Sequence, residues 1–166
     1  MFYFPISHQE VASQIAKLIN SYNSLSTQRT TQGILSSKTK YVVETHGRFV
    51  IGVAGVEKTS YQMSELKHMV VHPSWRGKGV GQFIGRRALD ICDTPVIYAT
   101  VRTSNSPSMK TMEKLGFNRV EEFASGDHNL AVLVRIAPKW NKHSSSKSSL
   151  LTEPDWLSLT PLSTVS

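Results

Sequence analysis

A glycine-rich, basic turn near the middle of the chain has the residue types needed to bind phosphate groups. The turn reads Arg76-Gly77-Lys78-Gly79-Val80-Gly81 and leads directly into a predicted helix. The free amides of a first helical turn and the helix dipole favour a bound anion. Glycine lets the backbone approach a phosphate without a Cβ in the way, and the two basic side chains add positive charge. The sequence therefore predicts a diphosphate-binding loop at this turn.

Two other kinds of phosphate loop do not fit this spacing. A Walker loop needs a lysine followed by Ser or Thr after its glycines, and no such pair follows here. A dinucleotide fingerprint needs Gly-x-Gly-x-x-Gly early in a βαβ repeat. Here the glycines lie at 77, 79 and 81, and the strands before them resemble an antiparallel meander. On these residues alone, an ordinary strand-to-helix turn that uses glycine is the alternative.

Composition and charge narrow the class of partner without naming it. The chain has 166 residues, with 19 Lys and Arg against 12 Asp and Glu and a formal charge of +7. This charge favours an anionic partner: a phosphorylated cofactor, nucleic acid or an acidic protein. Cys92 is the single cysteine, so no internal disulfide is possible and core packing is its expected role. No long apolar run and no signal-peptide pattern occur, so we expect a soluble cytoplasmic protein without membrane contact.

Hydrophobic periodicity predicts the elements that position the loop. Helical spacing follows a capping box at Ser7 and Glu10, and a second helix follows the glycine-rich turn. A third helix is predicted with Ser106 as its N-cap and Pro107 at its first position. The segment 25–37 is predicted to be either a further helix or a loop. Strands are predicted at residues 2–6, 41–45, 48–57, 62–71, 96–101, 118–123 and 129–136.

These elements predict one mixed α/β domain at residues 1–138 and a tail at residues 139–166. The tail has five serines among residues 144–149, a composition typical of a flexible extension. Trp140 and Trp156 leave open a different role for the tail, in which it docks on the domain or on a partner. No metal site is predicted.

Two motifs resemble one known family. The run Val71-His72-Pro73-Ser74-Trp75-Arg76-Gly77-Lys78-Gly79-Val80-Gly81 resembles the central motif of the GNAT superfamily of N-acetyltransferases, Arg/Gln-x-x-Gly-x-Gly/Ala after a Val-x-Pro strand end. Asn105 and the later Lys114-Leu115-Gly116-Phe117 resemble its second motif. The resemblance implies the GNAT fold: a mostly antiparallel central sheet of six to seven strands with about four flanking helices. In that fold the fourth and fifth strands, here 62–71 and 96–101, splay apart.

The resemblance implies acetyl-CoA as the cofactor and assigns its contacts. The pantetheine arm is expected to bind the backbone of Met69 to Val71, and the diphosphate to bind the amides of Gly77 to Gln82. Asn105 is expected to donate its side-chain amide to the pantetheine; a helix cap is the alternative role. The full set of expected cofactor residues is Met69, Val70, Val71, Arg76, Gly77, Lys78, Gly79, Val80, Gly81, Gln82 and Asn105.

The implied reaction is direct attack of a primary amine on the acetyl thioester in a ternary complex. A free alkylamine has a pKa of about 10.4, so a base must remove a proton. Glu65 matches the position of the catalytic glutamate in some family members, including histone acetyltransferases. It lies six residues before Val71, which predicts that both side chains share one face of the strand. A solvent-facing Glu65 is the alternative, and His68 is predicted on the opposite face from Glu65.

One residue departs from the family pattern. Many members have a tyrosine where this chain has Met112, and that tyrosine protonates the departing thiolate. Solvent or another group, with Tyr98 and Tyr61 as candidates, must then protonate the sulfur, or the thiolate leaves unprotonated. The pKa of a thiol, about 8.5, is compatible with the latter. Weak or lost transfer activity is the third possibility.

The acceptor is left open among a small amine, a protein N-terminus and a lysine, and the chain is expected to be a monomer or homodimer. Two alternative functions remain at this point. One is an acyltransferase acting on nucleic acid or a nucleobase, and the other is a CoA-binding interaction module without catalysis.

Overall fold

The computed structural model describes residues 6–23 and 27–138. The predicted tail at 139–166, and all but the last residue of the predicted strand at 2–6, lie outside the described residues. In chain order the elements are α1 His8–Tyr22, α2 Thr31–Leu35, β1 Lys40–His46, β2 Phe49–Lys58, β3 Met63–Val71, a 3-10 turn Pro73–Trp75, α3 Val80–Asp90, β4 Val96–Arg102, α4 Ser106–Lys114, β5 Asn118–Ser125 and β6 His128–Ile136.

The strands form one sheet in the order β1-β2-β3-β4-β6-β5. Every neighbouring pair is antiparallel except β3 and β4, which are parallel. The described part of the chain therefore confirms the predicted mixed α/β architecture, with six strands and four α-helices. The predicted fourth and fifth strands correspond to β3 and β4.

The parallel pair β3 and β4 stays together over only part of its length. Its paired residues are Met63 with Val96, Ser64 with Ile97 and Glu65 with Tyr98. Strand β3 continues to Val71 without a recorded partner on this side, and β4 continues beside β6. The two strands thus diverge, as predicted, and an unpaired edge of β3 borders the gap between them.

Two hydrophobic cores cover the two faces of the sheet. Helices α3 and α4 lie on one face, and α1 and α2 lie on the other. Ile84 in the first core and Ile19 in the second are fully buried, which stabilises the fold by about 1.5–3 kcal/mol for each side chain. The first core, the α3 core, includes Val42, Ala54, Val56, Leu66, Ile84, Ala88, Ile97, Met112, Leu115, Phe117 and Leu133. The second, the α1 core, includes Ala12, Ile15, Leu18, Ile19, Ile34, Val50, Val53 and Val70.

A β-bulge in β3 changes which face its side chains meet. The register between β2 and β3 shifts beside His68, whose φ of 52° lies in the left-handed region. Leu66 before the bulge packs in the α3 core, whereas Val70 packs in the α1 core. An unbroken strand would put these two residues on one face, because its side chains alternate with a period of two. The bulge therefore reverses the alternation halfway along the strand.

The helix start at Ser7 is confirmed, because its Oγ accepts the amide of Glu10 at 3.1 Å. None of the helices within residues 6–23 and 27–138 is long and apolar enough to cross a membrane. The same residues contain no group of three or more His, Cys, Asp or Glu side chains placed to hold a metal ion.

Candidate active site

The glycine-rich turn between β3 and α3 presents backbone amides. Gly77 and Gly79 have φ values of 74° and 81°, in the region that disfavours any residue with a Cβ. Gly79 is also the N-cap of α3, and no side chain caps the helix there. The amides of the first helical turn are therefore free to bind an anion.

Gly81 differs from the two glycines before it. A Cβ at this position would lie 3.5 Å from Cγ2 of Val71 and 3.8 Å from Cγ2 of Thr111, which are ordinary contacts. Alanine therefore fits at Gly81 without backbone strain. Its Cβ would lie between β3 and α4, in the cavity described below.

The two basic side chains of the turn are held by neighbouring groups. The Nε of Arg76 donates to the carbonyl oxygen of Val71 at 3.0 Å, and its guanidinium carbon lies 5.4 Å from the centre of the Tyr22 ring. The Nζ of Lys78 lies 4.9 Å from the centre of the Trp75 ring. Both are within the range of cation–π contact, so the charges also stabilise the shape of the turn.

A cavity of about 410 Å³, here called the loop cleft, joins this turn to the unpaired edge of β3. Every residue expected to contact the cofactor, except Lys78, lines this cleft. The size suits an extended small molecule. Its lining consists of Tyr22, Asn23, Met69, Val70, Val71, Trp75, Arg76, Gly77, Gly79, Val80, Gly81, Gln82, Asn105, Pro107, Ser108, Thr111 and Lys114.

Asn105 is the N-cap of α4, so the prediction that Ser106 caps this helix was wrong by one residue. The Oδ1 of Asn105 accepts the amide of Ser108 at 3.2 Å. The alternative role considered for Asn105, a cap, is therefore real. Its Nδ2 makes no recorded hydrogen bond to another described residue, so one side chain can cap the helix and still donate into the loop cleft.

A second cavity of about 440 Å³ lies beside the bulge and is here called the bulge cavity. It shares Tyr22, Met69 and Asn105 with the loop cleft, so the two cavities adjoin. Its lining consists of Tyr22, Asn23, Arg29, Glu65, Leu66, Lys67, His68, Met69, Thr100, Val101, Arg102, Asn105, Ser108, Met112, His128 and Leu130.

Glu65 lines the bulge cavity as part of a charged network. The Nζ of Lys67 lies 3.0 Å from Oε2 of Glu65 and 2.8 Å from Oε2 of Glu57. Burial by itself lowers the pKa of Lys67, but the hydrogen bonds to Glu57 and Glu65 outweigh it and raise that pKa. Hydrogen bonds from Lys67 and Thr39 lower the pKa of Glu57. Lys67 therefore remains charged and orients the Glu65 carboxylate.

The prediction that Glu65 and Val71 lie on one face of β3 was wrong, because the bulge lies between them. Glu65 and Val71 were expected on one face, but Val71 packs against the α3 core. Glu65 lies before the bulge, on the same side as Lys67, and faces away from that core. His68 was expected opposite Glu65, yet both line the bulge cavity. Alternation along a strand cannot reveal this arrangement, because one inserted residue reverses it.

His68 is held as a neutral imidazole. Its Nε2 lies 3.2 Å from Nη2 of Arg29, and its Nδ1 lies 3.1 Å from the hydroxyl of Tyr41. Because a guanidinium only donates, Nε2 must accept, and the proton therefore lies on Nδ1 and is donated to the Tyr41 oxygen. Burial, followed by the charges of Arg29 and Lys67, lowers the pKa of His68 to about 4.

Met112 is buried and lines the bulge cavity, where many family members have tyrosine. Neither candidate substitute, Tyr61 nor Tyr98, lines either cavity, and Tyr61 is 73% exposed on the turn before β3. Tyr22, the last residue of α1, lines both cavities. Its place in the last turn, beyond the buried stripe, is the signal that could have found it.

A scan against known families matches residues 13–117 to the Acetyltransferase (GNAT) family. A curated relative, the N-alpha-acetyltransferase RimI of Mycobacterium tuberculosis, is 30% identical over 90 residues. The match covers 52% of this chain and 57% of the relative, so it spans just over half the length of that protein.

Solved structures share the fold. The yncA protein of Salmonella typhimurium, solved with its cofactor acetyl-CoA, superposes with a TM-score of 0.69 at 17% identity, covering 80% of this chain and 92% of that one. Ard1 of Thermoplasma volcanium superposes with a TM-score of 0.63 at 22% identity, covering 76% and 93%. At these identities the likeness concerns the fold alone.

Proposed function

The chain belongs to the GNAT acetyltransferase family, and we propose that it transfers the acetyl group of acetyl-CoA to a primary amine. The observation that carries this proposal is the continuity of two features: the split between β3 and β4, and the uncapped amides of the glycine-rich turn. They border one cleft, in which an unpaired strand edge lies beside an anion site. Acetyl-CoA has a diphosphate joined to an extended amide-containing arm, and it suits such a cleft.

The chemical groups that line the loop cleft suit the diphosphate and the amides of acetyl-CoA. Amides from Gly77 to Gln82 would bind the diphosphate, and Arg76 would keep the turn in shape through its contacts with Val71 and Tyr22. The unpaired backbone of Met69, Val70 and Val71 would bind the pantetheine amides as a neighbouring strand does. Asn105 would donate from Nδ2 while its Oδ1 caps α4.

The bulge cavity would hold the acceptor amine. When bound, acetyl-CoA supplies the thioester whose C–S bond breaks as the new C–N bond forms. Glu65 would take the proton that the amine must lose, directly or through a water molecule. His68 is a poor alternative base, because its Nε2 lone pair already accepts from Arg29.

Tyr22 is our candidate for the group that protonates the departing sulfur. It is the tyrosine that lines both cavities among the described residues, and therefore lies where cofactor and acceptor would meet. Its phenol can donate a proton, which the buried Met112 cannot do.

A thiol-release assay with acetyl-CoA and a panel of amines tests this function. We expect release of free CoA together with the mass gain of one acetyl group on an acceptor. Binding of acetyl-CoA without transfer to any amine would instead favour a CoA-binding module. Transfer to nucleic acid rather than to free amines would favour the nucleic-acid alternative, which the formal charge of +7 motivates. A cytoplasmic location and the oligomeric state stay predictions.

A further inference from the structure

We propose that Arg29 is an anion receptor in the acceptor site, and that the acceptor is an amine that also carries a carboxylate. This inference rests on the proposed acetyl transfer and narrows its substrate class. The carboxylate belongs either to a free amino acid or to an acidic residue next to a peptide N-terminus. Both present the same group close to the amine.

The backbone of Arg29 is held on both sides by one side chain. Its amide donates to Oδ1 of Asn20 at 2.8 Å, and its carbonyl oxygen accepts from Nδ2 of Asn20 at 2.8 Å. Asn20 belongs to α1, so this pair of hydrogen bonds fastens the connection between α1 and α2 to a helix. Arg29 therefore starts from a defined position at the bulge cavity, which reduces the entropy lost when its side chain binds a ligand.

The guanidinium of Arg29 is oriented but not neutralised. It donates to Nε2 of His68 at 3.2 Å, and His68 is the neutral tautomer fixed by Tyr41. Within residues 6–23 and 27–138, no carboxylate lies within ion-pair distance of Arg29. A guanidinium has five N–H donors, so most of its donors are available to a ligand.

Other arginines of the domain are used differently. Three of them pair with carboxylates on the surface, where such pairs contribute little to stability. These pairs are Arg48 with Glu10, Arg87 with Glu44 and Arg119 with Glu122. Arg29 differs from these three arginines, because its partner is an uncharged imidazole in the wall of the bulge cavity.

The charges lining the bulge cavity favour an anionic acceptor. Three cations, Arg29, Lys67 and Arg102, face one carboxylate, Glu65. Lys67 already pairs with Glu57 and Glu65, so its charge is compensated. The charge of Arg29 has no such compensation within the described chain. A polycationic acceptor would meet repulsion here, whereas a carboxylate would meet a guanidinium whose fork matches its two oxygens.

The size of the bulge cavity limits what carries the carboxylate. A volume of about 440 Å³ lies in the lower part of the range for small-molecule sites. It suits an amino acid or the first residues of a peptide. The carboxylate and the amine must therefore lie within about one residue of each other.

Binding of product analogues tests the proposed role of Arg29 even if the protein shows no catalytic turnover. The probes are N-acetyl-alanine against N-acetyl-alaninamide, and N-acetyl-Ser-Asp-amide against N-acetyl-Ser-Asn-amide, titrated into protein saturated with CoA. We expect the wild type to bind at least one carboxylate probe about tenfold or more tightly than its neutral partner. Preference in the first pair indicates a free amino acid, and preference in the second indicates a peptide. Equal binding within both pairs would overturn the inference.

Substitution of Arg29 then assigns the preference to this side chain. Arg29→Gln should abolish the preference while leaving the binding of neutral probes and the Kd of acetyl-CoA unchanged, because Arg29 does not line the loop cleft. Arg29→Lys should retain part of it, since the charge remains but the fork is lost. Arg48→Gln is the matched control: it removes an arginine that pairs with Glu10 and lines neither cavity, and should change nothing.

Turnover separates this inference from the proposed function. With carboxylate acceptors, Arg29→Gln should raise KM about tenfold and change kcat little. Equal loss with carboxylate and neutral acceptors would make Arg29 a structural residue, and the proposed function would survive. Absence of transfer to every acceptor would overturn the proposed function, while the binding arm would still decide the role of Arg29.

Discussion

The two adjoining cavities are built in opposite ways. The loop cleft depends on backbone groups: the amides of one glycine-rich turn and the unpaired edge of β3. The bulge cavity depends on charged side chains that come from the α1–α2 connection, β3 and β4. Backbone amides are present whatever the side chains are, so they suit a cofactor that related proteins share. Side chains can differ between proteins that bind different acceptors. The comparison suggests that substitutions in the loop cleft alter cofactor affinity and those in the bulge cavity alter the acceptor reaction.

The largest expected effect comes from Glu65→Gln, which removes the proposed base in the bulge cavity. We expect kcat to fall about 10²- to 10⁴-fold, the usual contribution of a positioned general base, with the Kd of acetyl-CoA unchanged. Steady-state rates and calorimetry measure the two quantities. Glu57→Gln is the control, because it breaks the same Lys67 network without lining the bulge cavity, and should cost much less. Loss of both catalysis and cofactor binding in Glu65→Gln would make Glu65 structural.

The loop cleft is tested by comparing two glycines. Gly79→Ala forces a Cβ into a backbone at φ 81°, which costs about 1–2 kcal/mol, or distorts the turn. We expect the Kd of acetyl-CoA to rise about tenfold. Gly81→Ala lacks that strain, so its Kd should rise less. If the two variants bound acetyl-CoA equally, the left-handed turn would not be what holds the diphosphate.

Tyr22 lies at the boundary between the cavities, and Tyr22→Phe removes its proton while keeping its ring. We expect a fall in kcat of about tenfold, smaller than for Glu65, because a thiolate with a pKa near 8.5 can leave without help. The loss should shrink as pH rises. Tyr61→Phe, on an exposed tyrosine outside both cavities, is the control. A pH-independent loss would indicate that Tyr22 positions the cofactor instead.

The smallest expected effect is on the free energy of unfolding at low pH, through His68 in the bulge cavity. The pKa of His68 is lowered to about 4 in the folded protein, so the unfolded chain binds its proton first. The stabilisation is therefore present above about pH 6.5 and is lost as pH falls toward 4. A shift of this size would be worth about 3 kcal/mol in a fully buried group, but His68 is only half-buried. We therefore expect a loss of about 1 kcal/mol relative to His68→Asn, which tolerates the left-handed backbone but does not titrate there. Denaturant unfolding at several pH values measures it; parallel pH profiles would contradict it.

Most of the fold and the loop cleft could be predicted because their signals are local. The turn, the helix that follows it and the bounds of most strands depend on residues close together in sequence, whereas the two splayed strands were implied by the resemblance to the family. The bulge at His68 could not be predicted, since nothing in the alternation of β3 announces an inserted residue. It reversed the expected facing of Glu65 and Val71. The N-cap of α4 was misplaced by one residue because Asn105 and Ser106 are both common caps.

The sequence by itself determined the family, the fold and the position of the turn that we propose to bind the diphosphate. Glycines at 77 and 79 and a helix immediately after them specify that geometry wherever the segment lies. Only the tertiary structure brought Arg29 to His68, Glu57 to Lys67 and Tyr22 to the junction of the two cavities. These contacts join residues from separate elements, and their geometry depends on how α1, α2 and the bulged strand pack. The proposed acceptor site is therefore a property of the packed domain, and the proposed cofactor turn is a property of a short stretch of chain.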